Sequence, residues 1–198
     1  MKYLLNKIEL NGSSVRLIPL SISHKEALLA AATDGNLWEL WYTCIPSKDS
    51  IDAYVHKALE DMVSGKAFAF VVVNKSNNKI IGSTRYCFNH AQDETLEIGY
   101  TWYAKSYQRT SVNTECKYLL LKYAFERLDC TIVNFKTNSY NKKSRVAISR
   151  LGAKETIVLN TEKSNPDGTP QQKIIYSIFK KDWMNVSQFL QRKTSLSS

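Results

Sequence analysis

The stretch with the most chemically capable residues, Glu97–Glu115, runs from a predicted strand through a polar loop into a helix. Four residues place hydrogen-bond donors directly before that helix: Gln108, Arg109, Thr110 and Ser111. A helix N-terminus exposes unpaired N–H groups and carries about half a positive charge, so it binds phosphate readily. The stretch therefore predicts a pyrophosphate cradle. A loop whose polar residues only cap the helix is the alternative interpretation.

The elements around this stretch follow from hydrophobic periodicity and turn residues. The predicted order is β-α-α-β-β-β-α-β-α-β-β, which is typical of one mixed α/β domain. Asn113 is expected to cap the longest helix, Thr114–Leu128. Strict alternation along Thr95–Ala104 places Ile98, Tyr100 and Trp102 on one face. Glu97, Gly99, Thr101 and Tyr103 are then expected on the opposite face.

The other predicted strands and helices form the framework around this stretch. The predicted strands are Val15–Leu20, Ala67–Val73, Lys79–Asn89, Thr131–Lys136, and a last hairpin of Ile157–Leu159 with Lys173–Phe179. The predicted helices are His24–Thr33, Ile51–Val63, Lys142–Leu151 and Asp182–Arg192, followed by a frayed tail over residues 193–198.

Composition and charge limit the class of protein. The chain has 198 residues, 43% of them hydrophobic, which suits a single domain spanning residues 1–198. No apolar run approaches the roughly 18 residues of a membrane span, and Tyr3–Leu5 is too short for a signal-peptide core, so a cytoplasmic protein is expected. The four cysteines and the histidines (His24, His56 and His90) lack the spacing of a metal site.

The net charge of +9 suits a polyanionic partner, but the basic residues are spread along the chain. A solvated surface explains most of this charge. No stacked-aromatic RNA motif or helix-turn-helix spacing supports nucleic-acid binding, which therefore ranks third among the functional interpretations.

The central stretch also resembles a known family. The strand motif Glu97-Ile-Gly-Tyr-Thr-Trp102 precedes Tyr-Gln-Arg-Thr-x-Val-Asn-Thr-Glu-x-Lys-x-Leu-Leu-Leu-x-Tyr-Ala-Phe-Glu126. With Asn141-x-x-Ser144 and Arg150-Leu-Gly-Ala153, this series resembles the GNAT (Gcn5-related) N-acetyltransferases, and within them the RimJ/RimL-type branch that acetylates ribosomal-protein N-termini. The resemblance is dense over residues 97–153. It implies a single-domain GNAT fold with a core of about 13–180, in which a mixed central sheet splays between the fourth and fifth predicted strands.

The resemblance implies acetyl-CoA as the co-substrate and no metal. Its pantetheine arm is expected in the splay, paired with the backbone of Thr101, Trp102 and Tyr103. The family's phosphate loop falls on Gln108–Asn113, which includes Val112. Ser111 stands at the main glycine position of that loop, where the family favours glycine because it allows a backbone to approach a ligand closely. Cofactor binding is expected to be retained, since Ser111 can donate N–H and hydroxyl hydrogen bonds.

The resemblance also suggests the catalytic groups. Glu97, beside the splay, is the candidate general base; a surface carboxylate paired with a lysine is the alternative. The usual tyrosine acid of the family is replaced by Ile148. Ser144 is the candidate acid and Asn141 a candidate cofactor contact, although both also suit the first turn of a helix.

Aromatic residues and one arginine are the candidates for the acceptor side. Trp38, Trp41 and Tyr42 lie where the family builds a wall of its acceptor cleft, or they belong to the core. Arg85 either meets an acceptor carboxylate or pairs with Glu97. The leading interpretation is an N-acetyltransferase acting on a primary amine, either a protein N-terminus or a small molecule, with a homodimer allowed by the family. A non-catalytic acyl-CoA-binding or interaction module is the second interpretation.

Overall fold

The computed structural model describes residues 8–88 and 94–195. Within them eight strands form one sheet in chain order, except that β8 lies between β6 and β7. The strands are β1 (Leu10–Asn11), β2 (Val15–Pro19), β3 (Ala67–Asn74), β4 (Ile80–Cys87), β5 (Thr95–Tyr103), β6 (Ile132–Asn138), β7 (Lys154–Ser164) and β8 (Pro170–Phe179). The β5–β6 pair is parallel, whereas the other pairs are antiparallel.

Helices cover both faces of this sheet. They are α1 (Lys25–Thr33), α2 (Ile51–Val63), α3 (Val112–Glu126), α4 (Lys142–Ser149) and α5 (Trp183–Ser195). Apolar residues of α1 and α2 pack in one buried cluster, and those of α3, α4 and α5 pack in another on the opposite face. The central strand β3 faces both clusters, which explains why seven consecutive residues, Ala67–Val73, are buried.

The sheet splays between β5 and β6. Their parallel pairing covers Thr95–Glu97 against Ile132–Asn134 and goes no further. Strand β5 nevertheless continues to Tyr103 along β4, and β6 continues to Asn138 along β8. The facing backbone edges beyond Glu97 are therefore free of strand partners, which leaves a gap with Glu97 at its vertex.

A β-bulge in β5 lies beside this gap. The register against β4 shifts between Ser83 and Arg85, and Tyr100 has a φ of 51°. One extra residue in a strand reverses the alternation of the side chains that follow it. As a result Ile98 packs with the α3 cluster, whereas Trp102 packs with the α1–α2 cluster. The prediction that Ile98, Tyr100 and Trp102 share a face is therefore wrong.

The predicted element order is confirmed, with the short β1 added to it. The predicted cap at Asn113 is wrong: α3 begins at Val112 after Ser111, because the buried Val112 side chain already packs in the core. The last hairpin is longer than predicted, and α5 continues to Ser195 rather than ending at Arg192. Asn89, His90 and residues 196–198, to which predictions were attached, lie outside the described residues.

Candidate active site

The vertex of the splay holds Glu97 beside Lys136. The Lys136 Nζ lies 3.1 Å from Glu97 Oε2, and the Glu97 side chain is 12% exposed. A Cβ atom at Gly99 would stand 3.1 Å from Glu97 Oε1, so the glycine gives this carboxylate room. The structure thus pairs Glu97 with a lysine, as the alternative interpretation expected. Glu97 does not pair with Arg85 in the described residues. A mostly buried carboxylate whose orientation is fixed by a lysine can accept a proton in its ionised form.

Cys87 lies directly opposite Glu97 on β4. Burial, reinforced by the Glu97 charge, raises the pKa of the Cys87 thiol to about 12. The thiolate is the nucleophilic form of cysteine, so Cys87 is inert at neutral pH. Covalent catalysis through this thiol is therefore disfavoured.

Arg85 is buried between two aromatic rings on the α1–α2 face. Its guanidinium carbon lies 4.6 Å from the centre of the Tyr54 ring and 4.4 Å from that of Tyr100. The residue is 2% exposed, and its Nε atom has no hydrogen-bond partner. Within the described part of the chain no carboxylate pairs with it. Such a desolvated cation is suited to binding an anion.

Thr101 and Trp102 are held by side-chain contacts from opposite faces of the sheet. Thr101 Oγ1 lies 2.8 Å from Thr84 Oγ1 and accepts a 2.6 Å hydrogen bond from Lys117 Nζ of α3. Trp102 Nε1 donates to Tyr54 OH over 3.2 Å. These contacts fix the bulged half of β5.

The loop between β5 and α3 is folded back onto the strand. Gln108 Nε2 donates to the Tyr103 carbonyl oxygen over 3.0 Å, so both predicted cofactor contacts are engaged within the protein. Thr110 Oγ1 donates to the Tyr107 carbonyl oxygen and accepts from the Val112 N–H. Gln108 and Thr110 therefore shape the loop.

The start of α3 keeps free donors. Among the described residues, no protein acceptor binds the backbone N–H groups of Ser111, Asn113 and Thr114. Ser111 has a φ of −67°, which any residue adopts, whereas Arg109 has a φ of 63°. The serine at the family's glycine position thus adds no backbone strain. A helix start with three free N–H groups fits a phosphate.

A cavity of about 300 Å³ lies beside this helix start. Its lining comes from α3, α4 and α5, and includes Asn113, Thr114, Arg150, Phe189 and Lys193. Two cationic side chains and an exposed aromatic ring suit a nucleotide phosphate and base. The residues present therefore fit the phosphate end of a CoA molecule.

The start of α4 holds the other predicted residues. Asn141 is the N-cap, and its Oδ1 accepts from the Ser144 N–H over 3.0 Å. The capping alternative for Asn141 is therefore present in the structure. The Ser144 hydroxyl has no hydrogen-bond partner among the described residues. Ile148 is buried in the core, so no acid stands at the family's usual tyrosine position.

The predicted aromatic wall divides between core and surface. Trp38 is partly buried and packs against the α1–α2 cluster. Trp41 is 44% exposed, and its ring centre lies 5.4 Å from that of Tyr42 and 5.8 Å from that of Tyr140. Tyr140 OH donates to Asp167 Oδ2 over 2.8 Å, which ties this wall to the β7–β8 turn. Sequence reasoning missed Tyr140, since only the tertiary fold brings it beside Trp41.

Comparison with known proteins identifies the family. The model of the family described as "Acetyltransferase (GNAT) domain" matches residues 14–154. This chain therefore belongs to the GNAT acetyltransferase family, whose members use acetyl-CoA. A comparison with curated proteins gave no match.

Solved structures share the fold over most of the chain. A GCN5-related N-acetyltransferase from Brucella melitensis is 21% identical with a TM-score of 0.81, covering 94% of this chain and 85% of that one. Mycobacterium smegmatis RimJ in complex with CoA-disulfide is 16% identical with a TM-score of 0.73, over 90% and 88% of the two chains. The Microcin C7 self immunity acetyltransferase MccE, in complex with acetyl-CoA and AMP, is 18% identical with a TM-score of 0.71, over 85% and 93%.

No group of three or more His, Cys, Asp or Glu residues in the described ranges could hold a metal ion. None of the helices in those ranges is long and apolar enough to cross a membrane.

Proposed function

We propose that this protein is an acetyl-CoA-dependent N-acetyltransferase that acetylates a primary amine by direct attack in a ternary complex. The observation that carries the proposal is the splay: β5 and β6 separate immediately beyond a mostly buried carboxylate, Glu97. The edge of β5 beyond Glu97 and the N–H groups at the start of α3 both lack protein partners in the described residues. Bound acetyl-CoA supplies a thioester whose carbonyl carbon accepts the amine nitrogen.

The cofactor contacts follow from the free donors. The backbone of Thr101 and Trp102 pairs with the pantetheine arm, and the N–H groups of Ser111, Asn113 and Thr114 bind the pyrophosphate. Arg109 adds a positive charge at the loop. Gln108 and Thr110 act indirectly, because their side chains hold the loop in place.

Glu97 acts as the general base. The attacking amine must lose a proton, which Glu97 accepts directly or through a water molecule, while Lys136 orients the carboxylate. A positioned base of this kind contributes about 10²–10⁴-fold to the rate. The Ser144 hydroxyl donates a proton to the departing sulfur, and Asn141 holds the helix turn that presents Ser144.

The acceptor binds on the α1–α2 face. Glu97 and Arg85 lie there, away from Leu96 and Ile98, which pack with the α3 cluster. Trp38, Trp41 and Tyr42 form one wall with Tyr140. A primary amine that also carries a carboxylate fits best, since no carboxylate of the described residues pairs with the buried Arg85 guanidinium. A protein N-terminus with an acidic residue and a small amino acid both meet this description.

The alternative is a non-catalytic module that binds acyl-CoA. Ile148 favours it, because the buried isoleucine leaves the family's usual acid position without a proton donor. The two proposals differ in turnover and share cofactor binding. Measurement of free CoA in the presence of an amine therefore separates them.

The test has two steps. Acetyl-CoA is first titrated into the protein by calorimetry, with desulfo-CoA and ATP as comparisons; micromolar binding is expected for acetyl-CoA. A thiol-release assay then screens amino acids, peptides with acidic second residues and their amides. Binding with thiol release supports the enzyme, and binding without release for any acceptor favours the module. Absence of binding up to millimolar acetyl-CoA overturns both.

A further inference from the structure

A buried lysine reaches into the splay from the α3 side and has no role in the chemistry described above. Lys117 lies in the second turn of α3 and is 4% exposed. Its Nζ donates to Thr101 Oγ1 over 2.6 Å and lies 5.6 Å from the centre of the Phe135 ring. Thr101 belongs to β5 and Phe135 to β6, beyond the residues where the two strands pair. The amine therefore sits across the gap between them.

The surroundings of this amine leave its hydrogen-bonding capacity unfilled. An ammonium group has three donors, and in the described residues only Thr101 accepts one of them. From β4 the neighbouring polar group is the Thr84 hydroxyl, which contacts Thr101. A buried amine without a carboxylate or further acceptors is costly, so such a group points to a missing ligand.

We propose that Lys117 Nζ donates a hydrogen bond to a carbonyl oxygen of the acyl-pantetheine arm, and that entry of this arm is accompanied by uptake of a proton at Nζ. The inference rests on the proposed function, since it takes acetyl-CoA as the ligand. In this role Lys117 is a cofactor-binding residue that lies outside the phosphate-loop motif.

The proton uptake follows from the electrostatics of the unliganded site. Burial lowers the pKa of Lys117 to about 7. Among the described residues, the titratable side chain that acts on it is Cys116 of α3, and burial raises the pKa of that thiol to about 12, so it is neutral. The facing groups from the strands, Thr84, Thr101 and Phe135, do not titrate. A carbonyl acceptor and the nearby phosphates favour the charged amine, so binding raises this pKa.

The sign of the effect can be worked out. At about pH 8 the unliganded amine is mostly neutral, and the liganded amine is charged. Binding therefore takes up close to one proton per acetyl-CoA, and affinity falls as the pH rises above about 7. Without this lysine, the arm should bind with no such uptake.

The experiment is calorimetric titration at about pH 8 in two buffers of different ionisation enthalpy, which counts the protons. The ligands are acetyl-CoA and adenosine 3′,5′-bisphosphate, which has phosphates but no pantetheine arm. Wild-type protein should take up more protons with acetyl-CoA than with the bisphosphate. Lys117→Met should lose that difference and bind acetyl-CoA about tenfold more weakly, while its affinity for the bisphosphate is unchanged.

Two further variants separate ligand binding from a structural role. Lys117→Arg stays charged at all relevant pH values and should show no extra proton uptake. Thr101→Val removes the protein's own acceptor and should leave the proton difference in place. If Lys117→Met does not fold, the wild-type proton difference decides alone, and a difference of zero overturns the inference.

The outcomes distinguish this inference from the function on which it rests. Acetyl-CoA binding that is equal in wild-type and Lys117→Met protein, with equal proton counts, overturns the role of Lys117 and leaves the acetyltransferase proposal standing. Failure of wild-type protein to bind acetyl-CoA overturns both.

Discussion

At the scale of single residues, Glu97 has two properties that suit a general base: its side chain is largely buried, and Lys136 fixes its orientation. Replacement by glutamine preserves shape and removes the proton acceptor. Glu97→Gln should therefore keep acetyl-CoA affinity within about twofold and lower kcat at least tenfold at neutral pH. Steady-state thiol release with parallel calorimetry measures both quantities. Glu94→Gln, at an exposed position just before β5, is the matched control, and unchanged turnover in Glu97→Gln would remove this residue from the mechanism.

Arg85 supports a second residue-level prediction. Its guanidinium is stacked between Tyr54 and Tyr100 and lacks a carboxylate partner in the described chain. A hydrogen bond to a charged group contributes about 1.5–3 kcal/mol. Arg85→Met should thus raise KM for a carboxylate-bearing acceptor by tenfold or more and affect kcat less. The amide of the same acceptor is the control: it should react poorly with wild-type protein and lose nothing further in the variant.

At the scale of elements, Arg109 in the loop before α3 has two separable effects, one from its positive charge and one from its backbone conformation. Arg109 adopts a φ of 63°, which costs about 1–2 kcal/mol for a residue with a side chain and little for glycine. Arg109→Gly and Arg109→Ala both remove the charge, so both should weaken acetyl-CoA binding equally. Only the glycine variant relieves the backbone, and its melting temperature should exceed that of the alanine variant. Equal melting temperatures would argue against this loop conformation.

The same elements indicate what the sequence could predict. Element order and the position of the splay follow from periodicity and from the family resemblance, because both depend on residues close together in the chain. The bulge at Tyr100 was not predictable, since one extra residue leaves the composition of β5 unchanged while it reverses the faces of Trp102 and Tyr103. The contact of Trp41 with Tyr140 depends on folding of the whole sheet. The predicted cap at Asn113 was wrong because several polar residues precede α3, and the cap is Ser111.

At the scale of the whole molecule, the sheet separates the proposed acceptor site from the proposed phosphate site. The proposed acceptor groups Glu97 and Arg85 lie on the side of α1 and α2, and the proposed phosphate contacts lie at α3, α4 and α5. The gap beyond Glu97 is where the two sides meet. Lys117 stands in that gap as a buried titratable group, so the stability of the unliganded molecule should depend on pH through it.

The sign of that dependence follows from proton binding in the two states. The pKa of Lys117 is about 7 in the folded protein, against an ordinary value of 10.5, so between these pH values the unfolded chain binds more protons. The free energy of unfolding should then rise with pH from about 7, by up to about 1.4 kcal/mol per pH unit. Burial also lowers the pKa of Lys173, which contributes in the same direction.

Above about pH 9 the slope should reverse. Burial raises the pKa of the Cys87 and Cys116 thiols to about 12, from an ordinary value of 9.0, so the unfolded chain then binds fewer protons than the folded one. Denaturant unfolding at constant ionic strength from pH 7 to 10 should therefore give a maximum near pH 9. Lys117→Met should lose most of the rise and keep the fall, because its thiols are unchanged. An identical rising limb in this variant would place the titrating group elsewhere.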